Sequence, residues 1–352
     1  VNSALDNPTN YFTAQGLNNR ASDINNLLDS IGNGVQVLQA ANTGLTSLQS
    51  LVDTAKSIAN QVLQAPAGYT TKSTATSTAL PSGSTATNLV DGSAIKSGEV
   101  LSIAATGGGT ATAFTFGATT SLATLNTALA ANNLTASLDS SNDLVITTIN
   151  DVASSTIGAI SLTGTTGSAT FGAATAPVPD ANSQATRASL VSQYNNIITQ
   201  ITTTSQDASF NGINLLNGDD LKLTFNETGK STLTVSGVTY DAAGLGLSTL
   251  TAGTDFRDNS SANAVIAKVT AASDQLRSEA SALGSNLSIV QIRQDFAKNL
   301  INVLQTGSAN LTLADTNEEA ANSQALSTRQ SIAVSALALS NQSQQSVLQL
   351  LR

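Results

Sequence analysis

Few side chains in this sequence could do chemistry, and the residue types that are missing exclude most enzymatic mechanisms. The 352 residues contain no Cys, His, Met or Trp. Without His and Cys, the usual zinc sites and the Ser-His-Asp and Cys-His nucleophiles are excluded. We therefore predict a protein that is not an enzyme and that holds no cofactor and no metal.

The remaining carboxylates and glycines are better explained by local structure than by catalysis or ligand binding. Glu318-Glu319 could be a catalytic pair, but Asp315 with Glu318 three residues later is the pattern of a capping box. Asp219-Asp220 and residues 139–143 lack the twelve-residue loop of a calcium site. Gly107-Gly108-Gly109 is not followed by Lys-Ser or Lys-Thr, as a phosphate loop would be. We predict turns and a helix terminus at these positions.

The charge and hydropathy of the chain limit its partners. The net charge is -9, and no cluster of Lys or Arg offsets it. Such a surface repels nucleic-acid phosphates and anionic lipids. No apolar run is long enough to span a bilayer. We predict neither nucleic acid binding nor membrane insertion.

Two long heptad patterns provide the main framework of the chain. The first begins at Asn7-Pro8, an N-cap with Pro at the first helical position, and ends near Leu63. The second covers residues 262–313. Their apolar rows, which we assign to packing in a helical rod, are Leu17, Ile24, Ile31, Leu38, Leu45 and Val52 in the first and Val269, Leu276, Leu283, Val290 and Leu304 in the second. Because neither helix hides its stripe alone, we predict that they pack against each other.

One feature of the first pattern argues against an unbroken helix. Asn33-Gly34 lies in its middle, and Gly costs about 1 kcal/mol relative to Ala inside a helix. We predict an interruption there.

Further helices and turns follow in the last half of the chain. Residues 183–205 and 315–351 have helical patterns, and residues 221–225, 232–235 and 238–240 have strand patterns. Phe210-Asn211-Gly212 is the hairpin signature, because Asn-Gly between apolar residues favours a tight turn. The last helix carries apolar residues that we assign to subunit assembly: Ile332, Leu337, Leu339, Val347, Leu348, Leu350 and Leu351.

A segment of different composition separates the helical ends. It is rich in Thr, Ser, Gly and Ala, and prolines mark both of its boundaries. Residues 69–87 are predicted to be a loop. The remaining order is strand, strand, helix, strand, strand, over residues 99–104, 112–116, 121–131, 134–138 and 144–149.

The predicted fold class is α+β: a rod of long antiparallel helices from both chain ends with a β-hairpin region, plus a small inserted α+β domain. Residues 1–65 with 183–313 form the discontinuous helical rod domain, with β-hairpins at 209–240. Residues 66–182 form the variable insert, and residues 314–352 form the C-terminal assembly helix.

The chain resembles bacterial flagellins in three segments. Residues 4–8 with the following heptad helix are similar to the conserved N-terminal part of that family. Residues 210–216 (Phe-Asn-Gly-Ile-Asn-Leu-Leu) are similar to its hairpin signature. The stretch from Ala314 to the Leu-Leu-Arg ending is similar to its terminal helix. Together the resemblance covers roughly residues 1–65 and 183–352.

The resemblance implies a structural subunit of the bacterial flagellar filament that self-assembles for motility outside the cell. It also implies a flagellar export chaperone and cap or junction proteins as partners. Flagellins have a further helix upstream, so we expect this chain to lack a partner for its last helix. In this chain the insert precedes the hairpin. The position of the patch read by the animal flagellin receptor is Thr54 and Ile58, where Thr54 replaces an expected Arg, so we expect weak recognition.

Two alternatives remain open from the sequence. The insert at residues 66–182 could act as a cell-surface adhesin, and the whole chain could be a hook–filament junction protein. Binding measurements on the insert distinguish the first alternative from a filament subunit.

Overall fold

A computed structural model describes residues 1–78, 80, 83–164 and 167–350, and for residues 348–350 it describes the helical backbone alone. Five α-helices dominate the described part of the chain: α1 (Pro8–Gln64), α2 (Leu122–Leu129), α3 (Ala181–Asp207), α4 (Asn259–Thr312) and α5 (Thr316–Leu350). Helices and sheets coexist, so the predicted α+β class is confirmed.

Ten short strands lie between α1 and α4: β1 (Tyr69–Thr71), β2 (Thr74–Thr76), β3 (Val100–Ile103), β4 (Thr112–Thr115), β5 (Leu134–Leu138), β6 (Leu144–Thr148), β7 (Ile160–Thr163), β8 (Val178–Pro179), β9 (Leu221–Thr224) and β10 (Thr232–Val235). They form two three-stranded sheets, in the orders β2-β6-β5 and β4-β3-β7, and two pairs, β1-β8 and β10-β9.

The chain divides into two compact units, and α1 and α4 contribute to both. The terminal unit consists of Val1–Gln36, Lys222–Thr234 and the chain from Leu287 onward. The central unit consists of Val37–Leu221 and Val235–Asn286. The predicted division into rod, insert and assembly helix remains a prediction.

An antiparallel helix pair forms the core of the terminal unit. Ala21 and Ile24 of α1 pack in one cluster with Ala297, Ile301 and Leu304 of α4. Earlier residues of α1 meet later residues of α4, as the Ser308 hydroxyl donates to the Ala14 carbonyl at 3.2 Å. These neighbours show that the two helices run in opposite directions.

Gly34 does not interrupt α1, contrary to our prediction, since α1 is continuous from Pro8 to Gln64. A Cβ built on Gly34 would lie 2.3 Å from Leu223 Cδ2 and 3.2 Å from Leu223 Cγ. Leu223 belongs to β9 and is buried. The glycine is therefore explained by the close approach of the β9–β10 hairpin, and its helix-propensity cost is small enough for a long packed helix to absorb.

Three helical segments pack in the central unit. A Cβ on Gly44 of α1 would lie 2.6 Å from Ala208 Cβ and 2.7 Å from Leu216 Cδ1, so the chain after α3 lies directly on α1. Gln49 of α1 donates through Nε2 to the Ser273 hydroxyl of α4 at 2.7 Å. That polar contact sets one fixed register between these helix segments.

The insert has its own apolar core within the central unit. The buried cluster draws on both three-stranded sheets and on α2, with Leu101 and Ile103 of β3, Leu125 of α2 and Ile146 of β6 among its members. Strands β5 and β6 pair from Leu134↔Thr148 to Leu138↔Leu144. Residues 139–143 form the turn between them, so the predicted turn is confirmed.

Several strand boundaries differ from the sequence patterns. Strands β1 and β2 lie inside the predicted loop 69–87, of which residues 79, 81 and 82 lie outside the described residues. Strands β7 and β8 were not predicted: β7 is a four-residue alternation, Ile-Ser-Leu-Thr, within a segment rich in Ser, Thr and Gly, and β8 has only two residues. Residues 238–240 form an isolated bridge, Asn217↔Thr239, rather than a strand.

A buried arginine joins the segments where the insert meets the helices. Arg187 of α3 donates to the Pro66 carbonyl through Nε at 3.2 Å and through Nη2 at 2.8 Å. Its Nη1 donates to the Phe256 carbonyl at 2.8 Å. Phe256 is itself buried, with φ 56, and its ring meets the edge of Tyr194 at 5.8 Å. Burial lowers the pKa of Arg187, yet the three donor contacts keep the guanidinium paired.

Candidate assembly surfaces

The predicted rod-packing residues face the interior of the two units. All eleven are buried except Leu17, which is half-buried against the terminal-unit cluster. Along α1, the covered positions alternate in steps of three and four residues: Ala14, Leu17, Ala21, Ile24, Leu28, Ile31, Val35, Leu38, Ala41, Leu45, Leu48, Val52, Ala55, Ala59 and Val62. This spacing is that of a helix packed along a single seam.

Helix α5, unlike the rod-packing residues, is exposed to solvent. Every side chain from Thr316 to Val347 is exposed. Among the predicted assembly residues, the exposed fractions are 63% for Ile332, 65% for Leu337, 69% for Leu339 and 55% for Val347. The side chains of Leu348 and Leu350 and the whole of Leu351 lie outside the described residues. Exposed apolar groups at this density are typical of interaction surfaces, and the assembly role of these residues remains a prediction.

The apolar residues of α5 occupy two sectors of the helix. At 3.6 residues per turn, Leu326, Val334 and Leu337 lie within about 80° of one another. Ile332 and Leu339 lie about 120° and about 140° from Leu326, on another side of the helix, and Val347 lies between the two groups. A helix with apolar groups on separate sides needs neighbours on more than one side to cover them.

The sequence patterns missed a second exposed row, on α4 in the terminal unit. Ile289, Ile292, Phe296 and Val303 lie outside the buried heptad row and are 42%, 66%, 59% and 66% exposed. Phe12 of α1 is also exposed. Steps of three, four and seven residues connect the α4 positions, so the sequence shows a second row but does not show which row is exposed.

The hairpin signature forms a tight turn that ends α3. Asn211 and Gly212 both have positive φ, at 51 and 80, as a type I′ turn requires. Phe210 and Ile213 exchange backbone hydrogen bonds of 3.0 Å, and Phe210 is 37% exposed.

Asn214, which the sequence analysis did not single out, links this turn to α3. Its Nδ2 donates to the carbonyls of Ser205 and Gln206 at 2.8 and 2.9 Å, and its Oδ1 accepts from the Leu216 amide. The side chain therefore satisfies carbonyls that a helix end leaves unpaired. The motif positions the chain after α3 rather than a reactive group.

The position of the receptor patch shows one exposed and one buried residue. Thr54 is exposed, and its hydroxyl donates back to the Ser50 carbonyl at 2.8 Å. Ile58 is buried. The prediction of weak receptor recognition is not tested by these positions and remains a prediction.

The carboxylates have structural partners rather than the arrangement of a reactive centre. Asp315 Oδ1 accepts from the Asn317 amide at 2.8 Å at the start of α5, next to Glu318 and Glu319. Asp219 accepts from the Asn214 amide at 2.9 Å. Within the described ranges, no three His, Cys, Asp or Glu side chains cluster closely enough to hold a metal ion.

None of the described helices combines the length and the apolar character needed to cross a bilayer.

Two buried tyrosines carry the largest pKa changes. Burial raises the pKa of Tyr194 to about 12. Burial, together with the charge of Glu279, raises the pKa of Tyr240 to about 12. The Tyr240 hydroxyl donates to Glu279 Oε2 at 3.0 Å, so both tyrosines act as neutral packing groups at physiological pH.

Comparison with known proteins finds similarity to bacterial flagellins. Residues 266–351 match the family described as the bacterial flagellin C-terminal helical region. Flagellin FljM of Caulobacter vibrioides is 33% identical over 165 residues, which cover 46% of this chain and 59% of the relative. Flagellin A of Rhizobium meliloti is 38% identical over 90 residues, which cover 26% of this chain and 23% of the relative.

A solved flagellar structure also aligns with this chain, with low sequence identity and a low TM-score. The flagellar cap protein FliD (domains D1-D2-D3) from Escherichia coli aligns over 72% of this chain and 99% of its own, with 13% identity and a TM-score of 0.16.

The match over most of α4 and the whole described α5 shows that this part of the chain is similar to the flagellin C-terminal helical region. Through the matched segment 266–351 and the relatives named above, the chain is similar to bacterial flagellins. It spans 59% of the length of the Caulobacter relative named above.

Proposed function

We propose that this chain is a structural subunit of the bacterial flagellar filament, that it assembles with copies of itself outside the cell, and that it has no enzymatic activity. The observation that carries the proposal is α5, a helix with exposed apolar side chains in two sectors, inside the region matched by the flagellin family. Because two sectors need two sets of neighbours, and open contacts of this kind repeat from copy to copy, they generate filaments.

The outer row of α4 supplies a second set of contacts in the same proposal. Ile289, Ile292 and Phe296 stay exposed although the same helix buries its heptad row completely. We infer that copies of the chain cover this row in the filament. A flagellar export chaperone and cap or junction proteins are the further partners, and α5 is the surface they would use before or at the end of assembly.

The domain organisation belongs to this proposal. Residues 1–65 with 183–313 act as the rod, residues 314–352 act as the assembly helix, and residues 66–182 form the variable insert. The self-contained apolar core of the insert supports this division.

The test is filament formation by the full chain under precipitating salt, followed by electron microscopy and sedimentation. Replacement of Ile332, Leu337 and Leu339 by Asn should abolish the sedimenting polymer. The thermal unfolding of the monomer should stay unchanged, because these side chains are exposed. A matched control replaces Gln330, Ser335 and Gln342, polar residues of the same helix, by Asn and should assemble normally.

Two outcomes would contradict the proposal. One is filaments from the apolar variant with the yield of the unaltered chain. The other is failure of the unaltered chain to form filaments at any salt concentration, together with a specific ligand for residues 66–182, which would favour the adhesin alternative.

A further inference from the structure

A pocket of about 230 Å³ opens in the terminal unit beside the tip of the β9–β10 hairpin. Its floor is apolar and consists of Ile24 of α1 with Ala297 and Leu300 of α4. The first two belong to the buried cluster of this unit, and Leu300 packs against it. The floor is therefore part of the packed core, and its shape is fixed by that core.

The walls of the pocket are aromatic, and the one on the hairpin is held in place by hydrogen bonds. Phe225 of the hairpin and Phe296 of α4 line it. The Phe225 amide donates to the Ser231 carbonyl at 2.8 Å, and the Ser231 amide donates to Asn226 Oδ1 at 3.0 Å. These bonds close the hairpin tip, so that the Phe225 wall is formed before any ligand arrives.

The rim carries an excess of positive charge. Arg20 is paired with Glu227, with 2.6 Å between Nε and Oε1. Arg293 lies over the Phe225 ring, 5.7 Å from its centroid. Across the described ranges, no carboxylate oxygen lies within 4.0 Å of a nitrogen of Arg293. One cation at the pocket mouth is thus without an ionic partner, in a chain whose net charge is -9.

We propose that this pocket binds a small carboxylate with an aromatic body, of the arylalkanoate class. A cavity of about 150 Å³ lined by apolar side chains accommodates benzene, so this pocket has about 80 Å³ left for a short linker and a carboxylate. The ring would lie on the apolar floor between the two phenylalanines, and the carboxylate would accept hydrogen bonds from Arg293. This binding goes beyond filament assembly and does not depend on it.

The test uses the full chain at low salt and three probes of matched size: 3-phenylpropanoate, 3-phenylpropanol and 3-phenylpropylamine. Isothermal titration should give tighter binding of the carboxylate than of the alcohol by about tenfold, because a charged hydrogen bond contributes at least that much. The amine should bind most weakly. In NMR spectra, the methyl signals of Ile24 and Leu300 should shift with the carboxylate.

Two variants of pocket residues and one control variant assign the selectivity to the pocket. Arg293→Gln should remove the preference for the carboxylate over the alcohol. Arg277→Gln, which removes another exposed arginine of α4 that is paired with Asp274, should keep that preference. Phe296→Ser should weaken both the carboxylate and the alcohol, since it removes a wall that both rings contact.

Three results would overturn the proposal. The first is an absence of saturable binding of 3-phenylpropanoate at millimolar concentrations. The second is equal affinity for the carboxylate and the alcohol. The third is an unchanged preference in Arg293→Gln, or the same loss of preference in Arg277→Gln, which would attribute the effect to overall charge.

Discussion

Substitution of Gly34 by Ala tests whether the β9–β10 hairpin, and not helix propensity, explains the glycine in the middle of α1. Gly16 lies in the same helix and in the same terminal unit, but a Cβ there would meet nothing within 4 Å. The two positions therefore share their backbone conformation and differ in what a methyl group would touch.

The expected effects have opposite signs. At Gly16, Ala should stabilise the chain by about 1 kcal/mol, the usual gain of Ala over Gly in a helix. At Gly34 the same gain is offset by overpacking, because the new Cβ would lie 2.3 Å from Leu223 Cδ2 and within 3.2 Å of Leu223 Cγ. Leu223 is buried, so its side chain has little room to turn away. Overpacking costs about 1–3 kcal/mol, which leaves Gly34→Ala destabilising by up to about 2 kcal/mol.

Urea unfolding followed by circular dichroism at constant salt measures both variants. The double variant Gly34→Ala with Leu223→Ala separates the clash from other effects, because a smaller residue at 223 leaves room for the new methyl group. We expect the added cost of Gly34→Ala to disappear in that background. If Gly34→Ala stabilises the protein as much as Gly16→Ala does, the steric explanation of Gly34 is wrong.

Three further outcomes follow from buried polar groups. Arg187→Met should destabilise the central unit by about 1–3 kcal/mol in urea unfolding, because the buried Phe256 carbonyl loses its donor, whereas the Pro66 carbonyl is only partly buried. Arg187→Lys should fall between this variant and the unaltered chain. An unchanged midpoint for Arg187→Met would contradict the role assigned to the guanidinium. Asn214→Ala should cost about 1–3 kcal/mol, since it leaves the last carbonyls of α3 without their donor. Hydrogen exchange at the end of α3 should quicken, whereas Ser209→Ala, at a nearby exposed position, should not change it. Tyr194 and Tyr240 have their pKa raised from 10.0 to about 12. As the pH rises, these tyrosines lose their protons in the unfolded chain before they do so in the folded chain. Their contribution to the free energy of unfolding is therefore full below pH 10 and is lost as the pH rises toward 12. Alkaline unfolding should therefore move to higher pH in Tyr240→Phe, and a curve identical to that of the unaltered chain would refute this.

The long helices could be predicted from sequence because their signal is repeated many times. In α1 the predicted start at Pro8 and end near Leu63 agree with Pro8–Gln64, since capping and heptad spacing both indicate them. Gly34 misled the prediction because propensity is local, whereas its reason is Leu223, far away in the sequence. Strands β7 and β8 were missed because they are only four and two residues long, and their pairing with β3 and β1 depends on partners distant along the chain.

The assembly surfaces were predicted only in part, for a similar reason. Apolar residues of α5 are evident in the sequence, but their division into two sectors requires the helix to be continuous over that stretch. The outer row of α4 could not be separated from its core, because exposure of Ile292 and Phe296 depends on which face α1 covers. The Arg187 contacts were invisible, since their acceptors are backbone carbonyls and backbone carries no sequence signal.

In the proposed assembly, the two apolar sectors of α5 have a consequence for how contacts between copies build on one another. With its described side chains in water, α5 is held by its internal hydrogen bonds alone, and an isolated helix of this kind is in equilibrium with coil. The first neighbour to cover one sector therefore bears the entropy cost of ordering the helix. A second neighbour then meets the other sector already in place and binds more tightly. A helix of low stability on its own thus makes each contact favour the next one. Association becomes cooperative although the contacts themselves do not change.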